Sequence, residues 1–247
     1  MKIVTWNILD PIWLNMNNYE DLDKKYLNMN RRLSIIHNTL QRVNPDVICF
    51  QEVSNYTYNL ILNSFHDYYV SPLGYHSKNH WFEDYSFTAP IPFQKNGNCT
   101  LILKKHKFLK NIRKKISENG NYCLLSQILI DNKKINIINI HFDSRSKTKR
   151  HQQMIGLIEK TKNINDLVVL GDFNSNYDEH FLLFKNNFTR FKNYKATFLD
   201  GGILDHIYIK SEKYQISNGF NSFKQYKGNN AIRYTGSDHS YLSINLK

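Results

Sequence analysis

The sequence predicts an α/β fold in one domain: a four-layer sandwich of two packed mixed β-sheets with helices on their outer faces. Three observations predict it. The chain has 247 residues, 41% of them hydrophobic, which is enough to bury a sizeable core. Short β-branched runs recur along it, each bounded by Asn, Asp or Gly. Strands alternate with helices at the two ends, while the middle runs strand after strand. No repeat and no low-complexity linker interrupts the pattern, so residues 1–247 read as a single domain.

The first two strands are KIVTWNI (2–8) and DVICFQEV (46–53). Between them Leu22, Tyr26, Met29, Leu33, Ile36, Leu40 and Val43 recur at alternating steps of four and three. That is one apolar stripe of an amphipathic helix, and Pro45 stops it. Four more strands follow as CTLILKK (99–105), YCLLSQILID (122–131), KINIINIHF (134–142) and DLVVLGDF (166–173). The last two are LDHIYIK (204–210) and SYLSINL (240–246). A second helix covers 146–162, basic on its outer face, and a third covers DEHFLLFKN (178–186). Residues 72–96, with Trp81, Phe82, Tyr85 and Phe87 among Pro and Asn, fit no element. An aromatic loop of that length is either a lid over the core or a stacking surface for a ligand.

Composition narrows the function classes. Lys+Arg 33 against Asp+Glu 21 leaves a net charge of +12. Such a surplus suits a polyanionic partner such as nucleic acid, although Lys- and Asn-rich residue usage produces it as well. No apolar run approaches the roughly 18 residues of a membrane helix, so no stable membrane association is expected. The start MKIVTWNILDP is strand-like and lacks the apolar region of a secretory signal. Cys49, Cys99 and Cys123 are far apart and read as small core side chains, not as a disulfide framework or a zinc site. The expectation is an intracellular protein, cytoplasmic or nuclear, monomeric and with no obligate protein partner.

Polar residues fall at the ends of apolar strands. DVICFQE ends in Glu52, DLVVLGDFN in Asp172 and Asn174, and INIINIH in His141. LDHIYI begins with Asp205, GSDHS puts Asp238 and His239 just before the last strand, and Asn7 sits within the first. Side chains at strand ends tend to converge on one rim of a sheet. Singly, each has a bland reading as a turn residue, a cap or a surface charge. Jointly they supply hard oxygen ligands for Mg2+ or Mn2+ together with two histidines that can carry protons.

The ordered series TWNIL, PDVICFQEV, INIHFDS, VVLGDFN, LDHIYI and GSDHSYL resembles the endonuclease/exonuclease/phosphatase superfamily across the whole chain. The resemblance implies a Mg2+-dependent phosphoester hydrolase, with Mn2+ as an alternative cofactor. It further implies that Glu52 is the main carboxylate on the metal, with Asn7 nearby on the metal or the phosphate and Asp238 in or beside the metal site. Asp172 would orient or deprotonate the attacking water, and Asn174 would hold that water or the phosphate. His239 would contact the scissile phosphate with its tautomer fixed by Asp205, and His141 would stand on the other side of the phosphate as a donor or general acid. The match has departures. Leu9 stands where many nuclease members carry Asp, with Asp10 one residue later, and His206 replaces the usual aromatic or Arg. WNIL is similar to the deadenylase branch, whereas HFDSRSKTKRHQQM is similar to the tyrosyl-DNA phosphodiesterase branch.

Two basic clusters bear on the substrate. KKHKFLKNIRKK (104–115) reads as two strand segments or a hairpin with its cations exposed. Arg145, Lys147, Lys149 and Arg150 follow His141 closely and are candidates for contacts to a phosphate backbone. The leading expectation is a nuclease or end-processing phosphodiesterase acting on nucleic acid. The alternative is a hydrolase of inositol phosphates or phospholipid headgroups. A non-catalytic nucleic-acid-binding relative ranks last, since Glu52, Asp172 and His239 are all present.

Overall fold

β-Branched runs that are buried on both sides need a cover on each face, and that requirement dictates the layering. A computed structural model describes residues 1–11, 28–75, 96–117, 122–224 and 230–247. In chain order the first elements are β1 (Lys2–Asn7), α1 (Met29–Val43), β2 (Val47–Ser54), α2 (Asn55–Ser64), β3 (Tyr68–Val70) and β4 (Gly74–Tyr75). Next come β5 (Asn96–Leu103), β6 (Lys107–Lys115), β7 (Tyr122–Ile130), β8 (Lys133–His141), α3 (Lys147–Thr161) and β9 (Leu167–Asp172). A 3-10 turn (Tyr177–His180) then runs into α4 (Phe181–Lys185), followed by β10 (Thr189–Arg190), β11 (Asp205–Lys210), β12 (Ile216–Asn221), α5 (Asn230–Thr235) and β13 (Leu242–Leu246).

One sheet has the order β12-β13-β1-β2-β5-β3, with β4 also paired to β5, and the other has β10-β11-β9-β8-β7-β6. Ile3, Val47 and Ile102 of the first sheet meet Ile137, Val168, Leu170 and Ile207 of the second in the central core. Outside the first sheet, Leu33, Ile36 and Leu40 of α1 cover Val4, Ile48 and Phe50. Outside the second, Met154 and Leu157 of α3 cover Ile138, Ile140 and Val169. The four layers are those that the sequence predicts. Each fully buried aliphatic side chain contributes about 1.5–3 kcal/mol.

Both sheets are mixed: β1 runs parallel to β2 and β8 parallel to β9. Each parallel pair is joined by a helical crossover, α1 or α3, because parallel strands cannot be joined by a tight turn. Local chemistry sets the crossovers' ends. Asn28 caps α1 by accepting from Arg31 N, and Asn44 leaves it at φ 49° just before Pro45. Ser146 caps α3 through Lys149 N. Leu22 and Tyr26 of the expected α1 stripe lie outside the described residues, as do Trp81, Phe82, Tyr85 and Phe87.

Several elements differ from the sequence reading. The 178–186 segment is a 3-10 turn followed by a short helix. Residues 107–115 form one edge strand with an irregularity between Phe108 and Lys110, where a hairpin or two segments were expected. The strand β12 and the helices α2 and α5 carry no clear apolar period, and the sequence reading passed over them. Cys49, Cys99 and Cys123 are buried and free, as expected. Among the described residues no helix is long and apolar enough to cross a membrane.

Gly171 decides how closely β8 and β9 approach at their ends. Its φ is +143°, and a Cβ there would fall 2.0 Å from the carbonyl oxygen of Ile140. Only glycine fits, and the next pair in register is His141 with Asp172.

Candidate active site

Strand direction explains why the polar residues meet. The C-terminal ends of the parallel pairs β1–β2 and β8–β9 bring up Asn7, Glu52, His141 and Asp172. β11 runs antiparallel to β9 with Asp205 opposite Asp172, so its N-terminal end reaches the same rim. β13 is antiparallel to β1, which places the preceding Asp238 and His239 there too.

A β-bulge aims Glu52. Phe50 pairs with Cys99 and Val53 with Gly97, so Gln51 and Glu52 together oppose Asn98 alone. Glu52 takes φ 56°, a left-handed conformation that is unfavourable for a non-glycine residue and turns its carboxylate across the rim. The carboxylate is held there: Asn7 Nδ2 donates to Glu52 Oε1 at 2.9 Å and Asp10 N to Oε2 at 3.0 Å.

Asn7 is the hub. Its Nδ2 also donates to Asp172 Oδ2 at 2.9 Å, and its Oδ1 accepts from Leu9 N at 3.1 Å. Two imidazoles flank the carboxylates: His141 Nε2 is 3.6 Å and His239 Nε2 3.7 Å from Asp172 Oδ2. His141 Nε2 also lies 3.9 Å from Glu52 Oε1. Asn174, at φ 50°, folds back so that its backbone N–H donates to Asp172 Oδ1 at 2.8 Å and its side chain to Phe142 O at 2.9 Å. Asp205 Oδ2 lies 2.8 Å from His239 Nδ1. Asp238 is buried beside these groups, with its Oδ1 3.4 Å from Ser237 Oγ.

Burial and charge set the protonation of the site. Burial pushes the Glu52 carboxyl up to about 7, with Asp238 adding to it and His141, Asn7 and His239 opposing. Asp205 is raised to about 6, again chiefly by burial, against the pull of His239. Burial opposes the charged form of His239, but Asp205 and Asp172 outweigh it and hold the imidazole well above its ordinary value. At neutral pH the Asp205–His239 pair is therefore a carboxylate and an imidazolium.

Three supports were missed in the sequence reading. Arg32 on α1 is completely buried, and its guanidinium donates to the carbonyls of Ile8, Leu9 and Gly236 at 2.9–3.1 Å. It ties the turn after Asn7 to the turn before Asp238. Ser237 Oγ donates to Asn7 O at 2.7 Å and accepts from His239 N at 3.1 Å. Thr197 Oγ1 accepts from Asp205 N at 3.0 Å. An Arg within a helix stripe and lone hydroxyls leave no distinctive sequence signal, although Ser237 stands in the GSDHS motif. His206, a departure in sequence, is buried and directs its Nε2 to Ser175 O and Ile203 O at 2.9 and 3.0 Å. It binds the loop after Asn174 to the strand of Asp205.

The basic cluster divides. Arg145, Lys147 and Lys149 are exposed at the start of α3. Arg150 is not on that surface: it is 9% exposed, with Nε and Nη2 paired to the Glu179 carboxylate at 3.0 and 2.9 Å. Its periodicity on α3 turns it inward, so the expectation of a phosphate contact is corrected to an internal ion pair.

The donor set suits a divalent cation. Ligand atoms of Glu52, His141 and Asp172 lie within 4.8 Å of one another, and those of Asp172, Asp205 and His239 form a second such group. A carboxyl raised by burial, with Asp238 adding to the shift, is relieved by a cation, and the oxygen-rich donors match Mg2+ or Mn2+.

Comparison with known proteins agrees with the fold. A family model described as Endonuclease/Exonuclease/phosphatase family matches residues 4–239. No curated protein matches the sequence. Among solved structures, the human Nocturnin catalytic domain with bound sulfate superposes at a TM-score of 0.76 and 18% identity, covering 100% of this chain and 93% of that one. D. rerio TDP2 complexed with single-strand DNA product gives 0.70 at 16% identity, covering 100% and 98%. ANGEL2, a 2′,3′-cyclic phosphatase, in complex with adenosine-2′,3′-vanadate, gives 0.77 at 14% identity, covering 99% and 94%.

Proposed function

The chain belongs to the endonuclease/exonuclease/phosphatase family, and from that premise we propose that residues 1–247 act as one catalytic domain, a Mg2+-dependent phosphodiester hydrolase of nucleic acid. One observation carries the reading. A single amide, Asn7 Nδ2, bridges Glu52 and Asp172 at 2.9 Å while two histidine Nε2 atoms face the same Asp172 oxygen. A structural polar cluster has no need to aim two proton carriers at one carboxylate.

Glu52 would hold the metal, with Asn7 and Asp238 beside it. A Mg2+ held there would supply positive charge against the phosphate oxygens. Asp172 Oδ2 orients a water and takes its proton as the water oxygen attacks phosphorus in line. Asn174 fixes the Asp172 carboxylate through Oδ1. The His239 imidazolium donates from Nε2 to a phosphate oxygen, and Asp205 holds the other ring nitrogen. As the phosphorus–oxygen ester bond breaks, His141 Nε2 stands on the opposite side to protonate the leaving oxygen.

Nucleic acid as substrate is supported by the net charge of +12 and the exposed Arg145, Lys147 and Lys149 near the rim. The likeness to TDP2 seen with a DNA product and to ANGEL2 seen with an adenosine ligand points the same way. A cleavage panel tests it: single- and double-stranded DNA, poly(A)-tailed RNA, a 5′-tyrosyl oligonucleotide and an inositol polyphosphate, each with Mg2+. Cleavage of a nucleic acid is expected. Turnover of the inositol polyphosphate alone would move the substrate to small phosphoesters, and silence on all would overturn the enzymatic reading.

A further inference from the structure

Residues 177–185 form one continuous helical segment, a 3-10 turn followed by α4, starting three residues after Asn174. Its two faces differ sharply. The inner face is fixed: the His180 ring is fully buried, with Nε2 2.9 Å from Ser175 Oγ and Nδ1 2.7 Å from Tyr208 Oη. Ser175 Oγ donates to Phe173 O at 3.1 Å, so His180 Nε2 is the donor to Ser175 and Tyr208 Oη the donor to Nδ1. Glu179 is clamped by Arg150. The segment is thereby fastened both to the loop that carries Asn174 and to α3.

The outer face is aromatic and cationic. Tyr177, which opens the 3-10 turn, and Phe181, the first residue of α4, are 50% and 47% exposed. Each ring has a cation against it: the Arg190 guanidinium lies 4.3 Å from the Tyr177 centroid, and Lys185 Nζ lies 5.3 Å from that of Phe181. His151 of α3 stacks on Phe181 with centroids 6.0 Å apart and planes at 27°. Arg145, Lys147 and Lys149 stand at the near end of α3. Asp178 is the one exposed acid within the segment, since Glu179 is paired inward.

Large rings left half in water on a rigid support bury no core surface, and their combination with flanking cations is what an unpaired polynucleotide recognises: bases stack on the rings while Lys and Arg meet the phosphates. A duplex keeps its bases inside and gains only the phosphate contacts. We infer that the outer face of residues 177–185 is a binding track for single-stranded nucleic acid, with successive unpaired bases stacked on Tyr177 and Phe181 beside the catalytic rim. The inference rests on the nucleic-acid reading above and narrows it to single strands or frayed ends.

Fluorescence anisotropy with a labelled single-stranded 12-mer and the matching duplex tests the track, using the full chain, Tyr177→Ala/Phe181→Ala, and Tyr177→Phe. The double variant should lose roughly ten-fold per ring in affinity for the single strand, and much less for the duplex. Tyr177→Phe keeps the ring and should bind as the parent does. Turnover of a small diester, bis(p-nitrophenyl) phosphate, reports the catalytic centre separately, and the loss in kcat/KM should be at least ten-fold larger for the oligonucleotide. Equal losses for single strand and duplex, or an unchanged single-strand affinity, overturn the track. Small-diester turnover by a parent protein that binds no single strand also overturns it while sparing the phosphoesterase reading. Ring-dependent binding without any hydrolysis would do the reverse.

Discussion

His239 is held on Asp205 through Nδ1 at 2.8 Å, and that single contact leaves Nε2 as the ring nitrogen facing Asp172. Asp205 also keeps His239 charged, against a burial effect that would strip its proton. Asp205→Asn removes the charge with little change of shape. The His239 imidazole should then lose its proton at lower pH, so the alkaline limb of the pH–rate profile moves to lower pH. The rate should fall by about 10³-fold or more, as expected when a histidine loses its orienting carboxylate. An alkaline limb that stays in place would remove His239 from the proton-bearing role.

Arg32 supports the site without touching its centre. Its three backbone acceptors come from the turns that follow Asn7 and precede Asp238. Arg32→Met would leave those carbonyls without the guanidinium and should cost about 3–5 kcal/mol of stability, read from the urea midpoint. Arg32→Lys, which keeps the charge but not the fork, should fall between the two. A midpoint for Arg32→Met within 1 kcal/mol of the parent, by order of magnitude, would show that the turns hold themselves.

Asp46, at the other end of the β1–β2 pair, gives a pH-dependent stability term. Burial alone would raise its carboxyl, but hydrogen bonds from Lys105, His106 and Lys2 N outweigh it and bring it down to about 2. A depressed carboxyl contributes stability that is complete above its unfolded value, near 4, and is lost as pH falls through about 2. Asp46→Asn should therefore destabilise by about 1–2 kcal/mol at neutral pH, allowing for solvent screening of the exposed Lys105. The gap between parent and variant should close between pH 4 and pH 2. A gap independent of pH would mean that the variant acts through packing.

The sequence carried the central strands because Ile, Val and Leu runs of this kind have few other solutions, and the convergence of the candidate site residues because strand ends of one topology share a rim. Glu52, Asp172 and His239 were legible for that reason. The bulge that turns Glu52 was not, since QEV reads as plain strand until β5 shows its unequal pairing. Arg150 misled because a basic residue on an amphipathic helix looks exposed until its partner Glu179, 29 residues away, is in view. The inward bonds of Arg32 and His206 end on backbone carbonyls, which have no side-chain signature in sequence.

In the proposed mechanism Glu52 is the carboxylate that would hold the metal. Isothermal titration of Mn2+ into the parent and Glu52→Gln, with Mg2+-dependent oligonucleotide cleavage measured alongside, tests this most directly. Because burial raises the Glu52 carboxyl to about 7, metal binding should release a proton, and apparent affinity should climb with pH up to that value and then level off. Glu52→Gln should lose that pH dependence, bind Mn2+ far more weakly and cleave at least 10²-fold more slowly while keeping its thermal stability. A Glu52→Gln protein that binds Mn2+ and cleaves like the parent would contradict the metal assignment and the mechanism built on it.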